Sequence, residues 1–231
     1  MTGYELKNAR KDCKWTQVEL AIRLGVSQTF VALLEAGKRP VPRSLSRKAV
    51  RLLNMSPSSL PVTSDPFSVP GDRLAAQLGA LGYPGFRYLR ASRKRNPAEV
   101  LLSALAKDNL ESRVTEGLPW LLLQYGAMST VNRKWLLEQA RLTNLTNRLG
   151  FVVTLAKEVV AKKGDTASER YRSLTELEQG LRQSRLDRED TLCQASLSQN
   201  EREWLRQVRP PYAADWHLLT DWRPEHLQYA N

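Results

Sequence analysis

The chain contains few of the residue types from which enzymes build metal centres or nucleophilic sites. Its 231 residues include two histidines and two cysteines. Cys13 and Cys193 are far apart in sequence, so they form neither a disulfide framework nor a zinc-ligand spacing. His217 and His226 have no HExxH or CxxC companion, and no glycine-rich phosphate loop is present. We therefore expect the protein not to be an enzyme and to bind no metal or cofactor.

Long apolar runs are also absent. The longest ones, such as residues 118–123, are much shorter than the roughly 20 residues that a helix needs to cross a bilayer. The N-terminal segment MTGYELKNARKDCK has no apolar core of the kind found in export signals. Hydrophobic residues make up 42% and charged residues 26%, which is typical of a chain that folds around a core. We expect a cytoplasmic protein without membrane association.

Positive charge is unevenly distributed along the chain. Residues 1–60 contain 11 Lys or Arg against 4 Asp or Glu, whereas residues 61–231 contain 24 against 20. Within the second part, five positive charges with no acidic residue among them lie in one run: Arg87, Arg90, Arg93, Lys94 and Arg95. Both basic regions favour polyanionic partners. For the second region, DNA, an acidic protein face and a merely solvated surface remain open.

A proline-rich segment divides the chain. Residues 57–71 contain four prolines and four serines, so they cannot propagate a helix or a central strand. We interpret them as a linker between a domain at residues 1–56 and a larger domain at residues 72–231. On both sides of the linker, apolar residues recur at helical spacing without a convincing alternating stretch. The sequence therefore predicts an all-α protein.

Capping chemistry places several helices in the second domain. A side-chain oxygen that is followed three positions later by an acid marks a helix start, and such signals occur at Asn96, Thr166 and Ser198. Further periodic segments predict helices at residues 110–125, 131–141 and 144–163. The first of these contains Pro119, which removes a ladder hydrogen bond and predicts a bend.

The most specific pattern lies at residues 16–40, where two short helices are joined by a tight turn. Thr16 and Glu19 form a capping box that starts the first helix. Its inward face is predicted from spacing to consist of Val18, Leu20, Ala21 and Leu24. Gly25 then permits the left-handed backbone conformation of a sharp turn, and Val26 fills the corner between the helices.

The second helix of this pattern is predicted at residues 28–35. Ser27 caps it, and either Phe30 or Val31 faces the core together with Leu34. Gly37 ends it. The basic residues that follow at once are suited to contact phosphates: Lys38, Arg39 and Arg43.

Residues 4–55 resemble the lambda-type repressor and Cro helix-turn-helix family, also called XRE-like. The matching positions are Thr16-Gln17, Glu19-Leu20-Ala21, Leu24-Gly25-Val26-Ser27, Leu34-Glu35 and Gly37-Lys38. The resemblance implies a domain of five short helices that reads double-stranded DNA in the major groove. The larger C-terminal region is expected to be helical as well.

The resemblance also implies roles for individual residues. Gln17 would bond a phosphate, while Gln28, Thr29 and Leu33 would face base edges, since Gln28 can pair with adenine and Leu33 can meet a thymine methyl. The expected DNA-contacting set is Thr16, Gln17, Ser27, Gln28, Thr29, Ala32, Leu33, Lys38, Arg39 and Arg43. Several members of the family have polar residues at the positions of Phe30, Ala32 and Leu33, whereas this chain has apolar residues there. We therefore expect little direct hydrogen-bond readout and more dependence on shape and phosphate contacts.

We expect a sequence-specific transcriptional regulator that represses its own operon through an inverted-repeat operator. One recognition helix reads too few bases, so we expect a homodimer. Residues 72–231 are the predicted dimerisation or partner domain, and residues 113–156 resemble helical domains of antitoxins paired with nucleotidyltransferase-like toxins. A cognate toxin is therefore a possible partner, with the aromatic tail, residues 212–231, as a docking segment. The alternatives are a phage-type or defence-locus repressor that senses a ligand, and a protein-interaction adaptor.

Overall fold

The protein consists of two compact units. The computed structural model describes residues 1–62, 67, 69–89, 93–126 and 130–229, with the side chains of residues 130 and 131 outside that description. The first unit is Met1–Thr63 and the second is Ser64–Asn231. The boundary between them lies within the segment that composition predicts to be a linker.

The first unit is helical. Its α-helices are α1 (Gly3–Asp12), α2 (Gln17–Leu24), α3 (Gln28–Glu35) and α4 (Arg43–Leu52). A 3-10 helix at Pro57–Ser59 follows and contacts α4, so the first unit extends into the predicted linker. Where the resemblance implied a fifth helix, the chain makes this single turn, because Pro61 has no N–H to donate to the Pro57 carbonyl and an α-helical hydrogen-bond ladder cannot continue past it.

One small core holds the first unit together. It consists of Leu6, Leu20, Ala21, Leu24, Val31, Leu34, Ala49 and Leu53. The prediction that Val18 faces inward is wrong, since this side chain is 53% exposed. Val18 and Leu20 are two positions apart, so their side chains point about 200° apart around the helix axis. Only one side of this eight-residue helix packs against the rest of the unit, and that side carries Leu20.

The second unit is also helical. Its helices are α5 (Gly71–Leu81), α6 (Pro97–Leu105), α7 (Ser112–Tyr125), α8 (Thr130–Leu142), α9 (Thr146–Lys162), α10 (Glu169–Arg182), α11 (Gln199–Val208) and α12 (Pro211–Asp215). Single 3-10 turns occur at Pro84–Phe86 and Pro224–His226. Two short strands, β1 (Asp190–Thr191) and β2 (Leu218–Leu219), pair in parallel. The prediction of an all-α fold is confirmed.

Helix α9 forms the centre of the second unit. It packs against α6, α7, α8 and α10, and its apolar side chains from Leu149 to Val160 are almost completely buried. Gly150 permits the closest contact, because a Cβ atom there would lie 2.4 Å from the ring of Trp216. The indole nitrogen of Trp216 donates a hydrogen bond to the hydroxyl of Thr154 at 2.8 Å. The sequence pattern predicted an apolar stripe on this helix, and neighbours on nearly all sides cover it.

The predicted helix starts fit the structure at two of three positions. The Asn96 side chain accepts a hydrogen bond from the Ala98 backbone, and Ser198 forms the expected capping box. The prediction that Thr166 caps a helix is wrong. Helix α10 begins two residues later, where the hydroxyl of Ser168 accepts a hydrogen bond from the Tyr171 backbone at 3.2 Å. Pro119 lies inside α7, as predicted.

The aromatic tail is part of the core of the second unit. Trp216, Leu218 and Leu227 are fully buried in the described part of the tail. The backbone N–H of Gln228 donates to the carboxylate of Glu116 on α7 at 2.6 Å. The prediction that this segment docks on a partner rather than forming core is therefore wrong for residues 212–229, because Trp216, Leu218 and Leu227 belong to the core and Tyr212 and Trp222 pack against it.

In the part of the chain that the structure describes, no single helix is long and apolar enough to span a membrane. By length and composition alone, α2 and α3 pass that test as a pair, but they are bent by 109° relative to each other.

Candidate nucleic-acid interface

Helices α2 and α3 form a sharp corner. Gly25 has φ +76° and ψ +40°, and its N–H donates to the carbonyls of Ala21 and Ile22, which closes α2. Two residues later the hydroxyl of Ser27 accepts a hydrogen bond from the Phe30 backbone at 3.2 Å and starts α3. The resulting 109° bend lies in the range of helix-turn-helix units, whose second helix fits the major groove.

Helix α3 has one buried side and one accessible side. Val31 and Leu34 are fully buried, which settles that Val31 rather than the half-buried Phe30 faces the core. Among the expected base-reading residues, Gln28 and Thr29 are exposed and Leu33 is half-buried. Ala32, also expected in the DNA-contacting set, is half-buried. The N-terminal turn of α3 is therefore its most accessible part.

A buried ion pair lies behind the accessible side of α3. The guanidinium of Arg10 in α1 binds the carboxylate of Glu35 through two hydrogen bonds of 2.6 and 2.9 Å, and a third joins it to the Trp15 carbonyl. Burial raises the pKa of the Glu35 carboxyl. Hydrogen bonds from Arg10 and Gln17, together with the positive charge of Arg10, outweigh this effect and hold the pKa below its ordinary value. The pair fixes α1 against the end of α3 by electrostatics and geometry.

A chain of amide hydrogen bonds connects this carboxylate to the accessible side. The Gln17 amide nitrogen donates to Glu35 at 3.0 Å, and the Gln17 oxygen accepts from the Gln28 amide nitrogen at 3.0 Å. The amide of Gln28 is thereby oriented. It retains a second N–H and its oxygen, which are the donor and the acceptor that a bidentate pair with adenine requires.

Basic residues border α3 on its C-terminal side. The backbone N–H groups of Lys38 and Arg39 both donate to the carbonyl of Leu33, which bends the chain back over the end of the helix. The Arg39 guanidinium carbon lies 6.0 Å from the ring centre of Phe30. Lys38, Arg39 and Arg43 are exposed, and the structure gives none of these described side chains a carboxylate partner. Positive charge is thus available beside α3 for phosphate contacts.

Two further residues of the expected DNA-contacting set act as helix caps. Thr16 is exposed, and its hydroxyl accepts from the Glu19 backbone at 3.1 Å and donates to the Glu19 carboxylate at 2.9 Å. Ser27 is also exposed and caps α3. Both therefore lie at helix N-termini, where backbone N–H groups favour anions.

A family model described as a helix-turn-helix domain matches residues 3–61. The first unit is a helix-turn-helix domain. This confirms the resemblance drawn from residues 4–55, and a domain of this kind makes the protein a DNA-binding regulator. No curated protein and no solved structure matches the chain.

Sequence reasoning missed the contacts that hold Gln28 in place. Arg10 and Glu35 are 25 positions apart, so no local pattern connects them. A weaker signal was present, since Glu35 follows Val31 by four positions and therefore shares the buried side of α3. A carboxylate on that side requires a cation partner.

Proposed function

We propose that the protein represses its own promoter by binding an inverted-repeat operator as a homodimer. The observation that carries this proposal is the exposed first turn of α3, where the Gln28 amide is held by Gln17 and faces solvent, while exposed basic residues follow the other end of the helix. An oriented amide can discriminate adenine in the major groove, and the neighbouring cations supply affinity that does not depend on sequence.

The dimer follows from the size of the interface. A single helix of eight residues presents few side chains to the bases, and genomic specificity requires more base pairs than it can cover. Two copies related by a two-fold axis would read two half-sites. Their centres would be about 10 base pairs apart, or a multiple of that.

Footprinting of the full-length protein on its own promoter tests the proposal. We expect protection of an inverted repeat, and lower expression of a reporter gene placed behind that promoter when the protein is present. Uniform coverage that salt removes would contradict sequence-specific binding. Increased reporter expression would contradict repression while leaving DNA binding intact.

We also propose that the protein is not an enzyme and acts in the cytoplasm, where its DNA is. The ring of His226 packs against Trp222 at 6.1 Å, and His217 lies in the buried tail segment. Among the described residues, no group of three or more His, Cys, Asp or Glu side chains is placed to hold a metal ion.

A protein partner for the second unit, including a cognate toxin, remains a prediction. One observation favours it over ligand sensing: Trp204 on α11 is 54% exposed, and exposed tryptophans are frequent anchors of protein interfaces. We expect the protein encoded beside this one to co-purify with it, and Trp204→Ala to weaken that complex. A neighbour that elutes separately at micromolar concentration would exclude the antitoxin role.

A further inference from the structure

The second unit contains a long stretch without negative charge. Residues 73–98 include six Lys or Arg and no Asp or Glu. Four of these cations are described and exposed: Arg73, Arg87, Arg93 and Lys94. Together with the exposed ring of Tyr88, they are called the basic surface below. Arg90 lies outside the described residues and is not included.

The backbone that carries the basic surface contacts helix α5 at two points. Phe86, immediately before Arg87, is buried, and its carbonyl lies so close to Gly79 of α5 that a Cβ atom there would be 2.2 Å away. At the other end, the Arg93 carbonyl accepts a hydrogen bond from the Gln77 side chain of α5 at 3.0 Å. One contact with α5 thus immediately precedes Arg87, and Arg93 makes the other through its own backbone.

Helix α5 adds its own cation to the same region. Arg73 precedes Gln77 by four positions, which places both on one face of the helix. Because the Gln77 side chain donates to the Arg93 carbonyl, Arg73 lies on the side of α5 that faces Arg93. A cation of the helix and a cation of the following segment are thus on the same side of α5.

The cations of the basic surface have no carboxylate partners within the described part of the chain. Elsewhere on the second unit, three exposed arginines have carboxylate partners: Arg182 and Arg185 bind Asp215, and Arg206 binds Glu189. Unpaired like charges repel one another, so concentrating them costs stability unless a polyanion binds there.

We propose that the basic surface binds the phosphate backbone of duplex DNA beside the operator, which rests on the proposed function. Phosphate contacts require exposed cations and hydroxyl donors, and the surface offers four cations and the Tyr88 phenol. An acidic protein partner would in addition need buried apolar anchors. Apart from Tyr88, the described side chains of this surface provide none.

The test compares two DNA lengths and two triple variants of the full-length protein. The duplexes are the minimal footprinted operator and the same operator extended by about 20 base pairs on each side, a flank that provides further phosphates. The variant R87Q/R93Q/K94Q removes three charges from the basic surface. The control K134Q/R141Q/R172Q removes three exposed charges that lie on α8 and α10. Affinity is measured by fluorescence anisotropy at several salt concentrations.

We expect the wild type and the control to bind the extended duplex more tightly than the minimal one, and R87Q/R93Q/K94Q to lose this gain. On the extended duplex its salt slope should be shallower by about one for each lost contact. Three lost contacts mean that a rise from about 50 to about 200 mM salt costs the wild type about 40-fold more affinity than the variant. Binding to the minimal operator should be unchanged.

Three results would overturn the proposal: no gain from flanking DNA in the wild type, an unchanged salt slope in R87Q/R93Q/K94Q, or an equal loss in the control variant. An acidic protein partner would produce the second result. If footprinting finds no operator, the proposed function fails by itself. The same salt titration on a random duplex of the extended length then still decides whether the basic surface binds phosphates.

Discussion

At the residue scale, the orientation of the exposed Gln28 amide depends on a carboxylate that is almost fully buried. Glu35 binds Arg10 on one side and Gln17 on the other, and Gln17 holds Gln28. Removing one partner of a buried ion pair leaves an uncompensated charge and typically costs about 3–5 kcal/mol. A change at Glu35 should therefore affect both the stability of the first unit and the orientation of the Gln28 side chain.

This ion pair makes the first unit sensitive to acid. The pKa of Glu35 is lower in the folded state than its ordinary value of 4.5, so its charged form favours folding. The stabilisation by the charged Glu35 is fully present at pH values above 4.5. It is lost as the pH falls through the lower pKa that Glu35 has in the folded state. We expect Glu35→Gln to lower the free energy of unfolding of the first unit by about 3 kcal/mol near neutral pH and to flatten its decline below pH 4.5.

Urea titration with pulsed hydrogen exchange, followed on peptides from α1 and α3, measures this effect in the full-length protein. Glu138→Gln, which changes an exposed carboxylate on α8, is the matched control. If Glu35→Gln left the stability of α1 and α3 and its pH dependence as in the wild type, the ion pair would have no role in holding α3.

The caps and the turn of the helix-turn-helix could be predicted from the sequence, but the buried contacts that hold α3 could not. The cap residues Thr16 and Ser27 and the turn at Gly25 follow from local chemistry, because each needs only its own neighbours within three or four positions. The contact between Arg10 and Glu35 depends on how α1 packs against α3. Local periodicity carries no information about such a contact.

At the element scale, the start of α10 shows what selects one of two candidate N-cap residues. Both Thr166 and Ser168 are followed by plausible first turns, and only Thr166 has an acid three positions later. The structure selects Ser168, whose hydroxyl also donates to the Asp165 carbonyl at 2.7 Å and is thereby held in place. Sequence patterns locate a helix start to within a few residues, whereas the conformation of the preceding turn determines which residue is the N-cap.

Substitution of the two candidates distinguishes them. We expect Ser168→Ala to reduce the free energy of unfolding of the second unit by about 1 kcal/mol, because it leaves the Tyr171 N–H without its acceptor. Thr166→Ala should change it by less than about 0.5 kcal/mol, since this exposed residue precedes the helix. Chemical denaturation of both variants provides the comparison. Equal losses, or a larger loss for Thr166→Ala, would contradict the assignment of the cap.

Helices α7, α8 and α9 were predictable because their apolar spacing extends over more than ten residues, whereas α5 and α12 were not predicted. The strands β1 and β2 were not, since each has two residues and they pair across 28 positions of the chain. A segment of two residues has no measurable period. What brings the strands together is the burial of Leu218 and Leu219, which is a property of the folded unit.

At the scale of the whole molecule, the C-terminal tail completes the second unit. Truncation after Pro210 would remove five fully buried side chains: Ala213, Trp216, Leu218, Leu219 and Leu227. Each large apolar side chain removed from a core costs about 2–5 kcal/mol, and their sum exceeds the usual stability of a domain. We expect the truncated chain to lose cooperative unfolding of the second unit.

Circular dichroism and thermal unfolding measure this loss. A chain that ends at residue 229 is the control, and we expect it to unfold like the full-length protein. A truncated chain, residues 1–210, that kept its helical signal and a cooperative transition would show that the tail is not part of the core.

The two units differ in what the comparisons show about them. The helix-turn-helix family model matches 59 residues, all of them in the first unit. The proposals for a dimer and for a second DNA contact both concern how the second unit increases the affinity of the protein for DNA. All of them depend on α3 reading bases.

Selection of binding sites from a random duplex pool, with the wild type and Gln28→Ala in parallel, tests that claim most directly. We predict an enriched inverted-repeat motif for the wild type. With Gln28→Ala we predict the same motif with one position per half-site relaxed, and affinity lower by about 1–3 kcal/mol. No enriched motif with the wild type, or an identical motif and affinity with Gln28→Ala, would contradict the account.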